Sequence, residues 1–254
     1  MLLPKVARYF SRVDSTNAAL LKALENGDAL ASGAVFLSDE QTAGRGQGTN
    51  AWHASRGDNL TLSMLFRPAH LSVDGVFSLT EAAALAVAGT VRSLLPPDRR
   101  PEVRVKWPND VYVGHRKIAG ILIQNALRGS QVVSAVVGIG LNVNEREFPG
   151  PLSASAVSLR QLTGGNVERE TVLATLFGEL AYWFSRLDEG RLDDLRGQYL
   201  SLLYLKGQVR TFRRTEDKLD FRATIVGVDP AGRLLLHLAD GHTEAFAQRS
   251  LQYR

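Results

Sequence analysis

The chain has 254 residues, 44% of them hydrophobic and 22% charged, a formal net charge of +4 and no cysteine. This suits one large domain, or one domain with a small module, with ample core either way. Without cysteine there are no disulfides, no zinc–thiolate site and no cysteine nucleophile. Met1-Leu2-Leu3-Pro4-Lys5 lacks the layout of a signal peptide, and no apolar run reads as long enough to span a bilayer. A cytoplasmic protein with no membrane partner is therefore expected. The excess of basic residues (pI ≈ 9.5) is scattered among Asp and Glu, which argues against nucleic acid as the main partner.

In chain order, Val6–Phe10 alternates like a strand, and Asp14-Ser15-Thr16-Asn17 offers helix caps before Ala18–Leu24. A β-branched run, Ala34–Leu37, leads into the loop Gly44-Arg45-Gly46-Gln47-Gly48-Thr49-Asn50-Ala51-Trp52, and an alternating run, Asn59–Phe66, leaves it. Val76–Leu95 reads as a long Ala-rich helix stopped by Pro96-Pro97. Four strand-like runs follow: Val103–Lys106, Val111–Val113, Ile118–Ile123 and Val132–Leu141. Helices are expected over Ala156–Leu162, Arg169–Leu187 and Leu192–Leu205, the middle one with an apolar stripe through Val172, Leu176, Leu180 and Phe184. From Gly207 the period returns to two, in Val209–Phe212, Phe221–Val228, Leu234–Leu238 and Thr243–Phe246. The fold class is thus α/β of α+β type. A mixed, mostly antiparallel sheet packs with helices over residues 1–205, and a small SH3-like β-barrel follows over 206–254.

Four segments carry polar groups that a plain core does not need. The glycine loop places Arg45 between backbone free to turn its N–H groups toward an anion, which suggests a phosphate-bearing ligand. Its spacing matches neither the dinucleotide fingerprint nor the P-loop, so a plain connecting loop is the bland alternative. In Lys106-Trp107-Pro108-Asn109-Asp110, a strand-end lysine precedes good turn chemistry and can be aimed at phosphate or carboxylate. Arg116-Lys117 runs into a strand containing Gly120, where a ligand can approach the backbone. Gly138-Ile139-Gly140-Leu141-Asn142 has two glycines in a Val/Ile strand, either a β-bulge or a surface on which something packs.

These segments in this order, with Ser15-Thr16-Asn17 and with Gln41 ahead of the glycine loop, resemble the biotin protein ligases. The resemblance spans nearly the whole chain. It implies an ATP-dependent, Mg2+-requiring enzyme that makes biotinyl-5′-AMP and passes biotin to a lysine in the biotin carboxyl carrier domain of a carboxylase. Carried over to matching positions, Ser15, Thr16, Asn17, Gln41, Arg45, Gly46, Gln47, Lys106, Gly138 and Gly140 would bind biotin. Arg45, Trp52, Asn109, Arg116, Lys117 and Asn142 would bind ATP or the adenylate, and Lys106 and Arg45 would be catalytic. No metal-ligating residue is assigned.

Many members of that family begin with a DNA-binding helix-turn-helix. Here a catalytic-type strand starts by Val6, so a ligase that does not bind DNA is expected. Members also often carry a second arginine in the glycine loop, where Gln47 can hydrogen-bond a phosphate but not neutralise it. Three rivals remain at this stage: a lipoate ligase or lipoyl transferase of the same fold, a non-enzymatic nucleic-acid-binding protein, and an inactive relative that only binds. A homodimer through an exposed sheet edge is possible on sequence grounds.

Overall fold

The computed structural model describes residues 2–48 and 50–254; Thr49 of the glycine loop and Met1 lie outside the described residues. A seven-stranded sheet is built from β1 (Lys5–Phe10), β2 (Ala34–Ser38), β3 (Leu60–Phe66), β4 (Val103–Lys106), β5 (Asp110–Val113), β6 (Arg116–Arg128) and β7 (Gln131–Leu141). Its order is β1-β2-β3-β7-β6-β5-β4, and only the β1–β2 pair within it is parallel.

One face is covered by α1 (Thr16–Glu25), whose Leu20 and Ala23 pack on Phe36, Leu65 and Val136. Ser15 caps this helix, accepting from the Ala18 amide. The other face carries α2 (Phe77–Leu94), backed by α5 (Arg169–Asp188) and α6 (Leu192–Ser201). The alanines of α2 let α5 approach closely, and Val172, Leu176, Leu180 and Phe184 bury the predicted stripe.

The 22 residues from Val73 to Leu94 are, by length and composition alone, apolar enough to cross a bilayer, against the expectation from sequence. In the fold this segment is the central core helix, with its apolar residues already spent on the sheet and on α5.

The predicted helix over 156–162 is shorter than expected. After a brief α3 (Leu152–Ser155), residues 156–158 run extended beside β6, with the Val157 amide bonded to the Lys117 carbonyl at 2.9 Å. Helix α4 (Leu159–Thr163) starts only where Ser158 and Gln161 form a capping box. Helix α6 likewise stops at Ser201, because Leu202 and Tyr204 bond to Val105 on the edge strand β4, at 2.8 Å each. An all-apolar Leu-Leu-Tyr-Leu run suits helix or strand equally, and the open sheet edge decides it.

The C-terminal unit is a five-stranded antiparallel sheet, ordered β11-β10-β9-β8-β12. It comprises β8 (Val209–Arg214), β9 (Asp220–Val228), β10 (Leu234–Leu238), β11 (Thr243–Phe246) and β12 (Leu251–Tyr253), the last not expected from sequence. Its edge strands β11 and β12 are not paired with each other. Its core residues Phe212, Ile225, Leu234 and Leu236 belong to the same hydrophobic cluster as α2 and the large sheet.

One charge lies inside that core. Glu81 on α2 is fully buried and pairs with Arg196 of α6, while its second carboxylate oxygen has no partner among the described residues. Burial raises its pKa, with Arg196 opposing. A raised folded-state pKa contributes stability that is complete below the unfolded value and is lost as pH rises through the folded one. Arg196→Ala is therefore expected to cost about 2–3 kcal/mol at neutral pH by leaving a buried carboxylate unpaired, and less in mildly acid solution. Urea unfolding at the two pH values checks this. An equal deficit at both would mean that Glu81 is not the group responsible.

Candidate active site

Strand register brings the small residues together. Ser63 on β3, Gly138 on β7 and Leu122 on β6 lie directly opposite one another. The next row is Thr61, Gly140, Gly120 and, on β5, Asp110. Residues that face each other across a sheet share a side, so three glycines form a bare floor on the face that carries α1. The register is regular through Gly138 and Gly140, so neither marks a bulge.

Side chains lie directly on that floor. A Cβ at Gly138 would stand 2.3 Å from Asn17 Oδ1, and one at Gly140 would stand 2.2 Å from Trp52 Cε2. Asn17, buried on α1, accepts from the Ser63 hydroxyl and donates to the Leu122 carbonyl at 3.3 Å. Thr16 bonds through its amide (2.7 Å) and hydroxyl (3.0 Å) to Gln41 Oε1. Ser15, Thr16, Asn17 and Gln41 thus make a polar end wall.

The glycine loop is a small hairpin folded back on itself. The Trp52 amide bonds to the Gly44 carbonyl (2.9 Å) and the Gly46 amide to the Asn50 carbonyl (2.7 Å), with Arg45 opposite Ala51. Gly44 is required because the Trp52 carbonyl lies 2.6 Å from where a Cβ would sit. Arg45 is exposed at the cleft rim, and the Trp52 indole N–H is buried without a partner among the described residues.

The cleft-lining lysine is Lys117. Counting back from Gly120, strict alternation would put it on the opposite face. The register shifts between Val111 and Tyr112, however, so Lys117 pairs with Tyr112, which shares the face of Asp110. This bulge re-aims the side chain. Lys117 Nζ reaches Asp110 Oδ1 at 2.7 Å and lies 5.6 Å from the centre of the Trp52 ring. Lys106 sits one strand further out, opposite Asp110. Its ammonium lies over Tyr112 (5.1 Å) and Tyr253 (4.7 Å) and donates to the Tyr112 hydroxyl at 3.3 Å. Burial lowers its pKa, which Asp110 opposes and Lys117 reinforces.

Next to it, the Trp107–Pro108 peptide is cis. The Trp107 indole donates to the Gly232 carbonyl (2.9 Å) and the Tyr199 hydroxyl to the Pro108 carbonyl (2.9 Å). Asn109 is clamped to β6 by its side chain, which donates to the Ile121 carbonyl, and by its own carbonyl, which accepts from the Ile121 amide at 3.1 Å.

Glu145, buried just beyond β7, organises the segment after the loop. Its carboxylate accepts from the Ser55 amide (3.0 Å) and hydroxyl (2.5 Å) and from Asn59 (2.5 Å). Burial pushes its pKa up, but these bonds and His53 outweigh that and hold it below the ordinary carboxylate value.

Of the predicted positions, Ser15, Thr16, Asn17, Gln41, Arg45, Gly46, Gln47, Trp52, Asn109, Lys117, Gly138 and Gly140 all line one cleft. Lys106, Arg116 and Asn142 do not. Lys106 is held off by its tyrosines, and Arg116 lies beyond the bulge, opposite Val113. Asn142 is buried past the floor, where it donates to the Val157 carbonyl at 3.1 Å and leaves Oδ1 unpartnered among the described residues. Asp110 and Ser63 were not assigned a role from sequence, and Gly120 was singled out only as a point of close approach to the backbone. Ser63 had a signal, a hydroxyl that with Thr61 interrupts a buried apolar strand on one face.

The model of the biotin/lipoate A/B protein ligase family matches residues 9–142. A biotin--[acetyl-CoA-carboxylase] ligase of Paracoccus denitrificans is 30% identical over 236 residues, covering 89% of this chain and 92% of that protein. The bifunctional ligase/repressor BirA of Bacillus spizizenii is 33% identical over 143 residues, 56% of this chain; the match spans only 42% of that protein's length. The biotin protein ligase from Aquifex aeolicus in complex with biotin and ATP has the same fold, with a TM-score of 0.78 at 24% identity over 97% of each chain.

Gly140→Ala drives a methyl into the Trp52 ring, and the ring must leave the floor. With Trp107 and Trp183 replaced by Phe, the remaining Trp52 emission should shift toward that of exposed indole, at a stability cost of about 1–3 kcal/mol. Unchanged emission would show that the ring does not rest on Gly140.

Proposed function

Because the chain belongs to the biotin/lipoate A/B protein ligase family, we propose that it is a biotin protein ligase. It activates biotin with ATP to biotinyl-5′-AMP and transfers biotin to one lysine of the carrier domain of a carboxylase. The observation that carries this reading is the glycine-floored cleft with a polar wall at one end and two cations, Arg45 and Lys117, along it.

In the first step a biotin carboxylate oxygen bonds to the α-phosphorus, and the bond to the departing pyrophosphate breaks. Two anions have to meet, so fixed cations lower the barrier by positioning and by stabilising the charge that develops. In the second step the carrier lysine's neutral amine attacks the acyl carbon, and the bond to AMP breaks. The same cations serve the departing phosphate.

Ser15, Thr16, Asn17 and Gln41 offer alternating donors and acceptors for biotin's ureido head. Trp52 offers a ring face along the cleft. Placement in the cleft favours Lys117 over Lys106 as the reacting-centre lysine; Lys106 acts from behind, on Asp110. Among the described residues no group of three or more His, Asp or Glu side chains is arranged to cage a metal. Magnesium would be supplied with the nucleotide, as the counter-ion of its triphosphate. The division into a catalytic domain over 1–205 and a β module over 206–254 follows the two sheets, and cytoplasmic action on a carboxylase belongs to the same proposal.

A lipoate ligase is the second reading, because the family includes both chemistries. The name of the Paracoccus denitrificans relative favours biotin. Incubation with biotin, ATP, magnesium and a carrier domain should yield biotinylated carrier, whereas lipoate should neither be transferred nor raise the melting temperature. In the same assay Lys117→Ala is expected to slow adenylate formation by roughly 100- to 1,000-fold, and Lys106→Ala by distinctly less. If Lys106→Ala abolished formation while Lys117→Ala spared it, the roles would be reversed.

A further inference from the structure

The glycine loop, residues 44–52, carries a single cation, Arg45, and the C-terminal sheet reaches across to it. Gln47 Nε2 donates to Gln248 Oε1 at 2.8 Å, a contact between residues 201 positions apart. The next residue, Arg249, has a left-handed backbone (φ 68°), an uncommon conformation for a side chain of this size. Its guanidinium lies against Gly48, where a Cβ would stand 3.3 Å from Nη2. Gly48 is itself left-handed, at φ 70°. Nearby, Arg213, Arg214 and Arg233 each hold a carboxylate. Arg249 holds none among the described residues. It also lines a cavity that shares Gln47, Asn109, Ile121 and Leu122 with the ligand cleft.

We propose that Arg249 is a positioning residue. From the C-terminal sheet it supplies a second cation to the glycine loop, holding the loop down and setting how long a phosphate-bearing intermediate stays bound. The identity of that intermediate rests on the ligase reading above; the hold on the loop does not. The turn that bears Arg249 is fixed independently of the loop. The Arg249 carbonyl accepts from the Thr215 hydroxyl (2.9 Å), the Ser250 amide bonds to the Ala247 carbonyl (3.2 Å), and a second turn of the same unit holds Trp107 through Gly232. The guanidinium is therefore presented from a braced support, and only the loop need move.

Two measurements test this on the full chain. In the ligand-free protein, tryptic cleavage after Arg45, followed by mass spectrometry, should be several-fold faster in Arg249→Gln than in the parent. Equal rates overturn the proposal whatever the ligand is. In the second, biotinyl-adenylate is formed on the enzyme and chased. Arg249→Gln should release it about tenfold faster, the size of one charge-assisted hydrogen bond, with a smaller change in its rate of formation. Arg249→Lys should fall between the two, and Gln47→Arg added to Arg249→Gln should restore slow release. Unchanged release, or no rescue by Gln47→Arg, overturns the role of the charge. Should Arg249→Gln melt early, Arg249→Met, which keeps the length of the side chain and removes its charge, takes its place. It must still speed both cleavage and release, or the proposal fails. A parent protein that releases no pyrophosphate from biotin and ATP refutes the ligase reading instead, and the cleavage arm stands apart from it.

Discussion

A pleated sheet sends successive side chains to opposite faces, and the cleft depends on where that alternation is kept and where it is broken. It is kept through Ser63, Gly138 and Leu122 and through Thr61, Gly140 and Gly120, which is why an unobstructed strip of backbone opens beneath α1. It is broken at the bulge beside Val111 and Tyr112, which turns Lys117 over onto the same strip. Were the register there unbroken, the floor would exist without a cation on it. Glycine in a strand weakens it, and here the loss is offset by the ring and amide that pack where Cβ atoms would have been.

Around this strip the fold fixes backbone rather than side-chain tips. Glu145 binds the residues that follow the glycine loop. Arg169 on α5 holds the Gly57 carbonyl (2.9 Å) and Asp39 (2.8 Å), so the loop's descent from β2 and its return to β3 are both anchored. The Trp107–Asp110 turn is gripped from three directions, by β6, α6 and the C-terminal sheet. The hairpin between these anchors carries Arg45 at its rim.

Much of this was legible in the chain. The long alternating and helical runs gave the right elements, since an apolar stripe such as that of α5 allows one burial solution. The paired glycines of β7 announced a close approach, and Trp52 and Asn17 make it. What sequence pattern could not carry was register. Lys106 and Lys117 both lie near strand ends beside turns, and the one-residue bulge that aims Lys117 into the cleft leaves no mark on composition. The Leu202–Leu205 run and the residues before Ser158 misled for a similar reason. Each satisfies a helical pattern, yet each lies beside a strand with free hydrogen-bonding groups, a neighbour known only after folding. Gln248 and Arg249 were invisible as loop partners for a simpler reason, their distance along the chain.

The shared hydrophobic cluster that joins the two sheets has a thermodynamic meaning. Phe77 of α2 fits against Gly232, leaving no room there for even a methyl group, and Tyr199, Phe212 and Leu236 are buried in one contiguous interior. Such a chain should lose its structure in a single cooperative transition rather than in two. Free energy gained when a ligand settles on the floor is then returned as resistance to unfolding of the whole molecule, including strands it never touches.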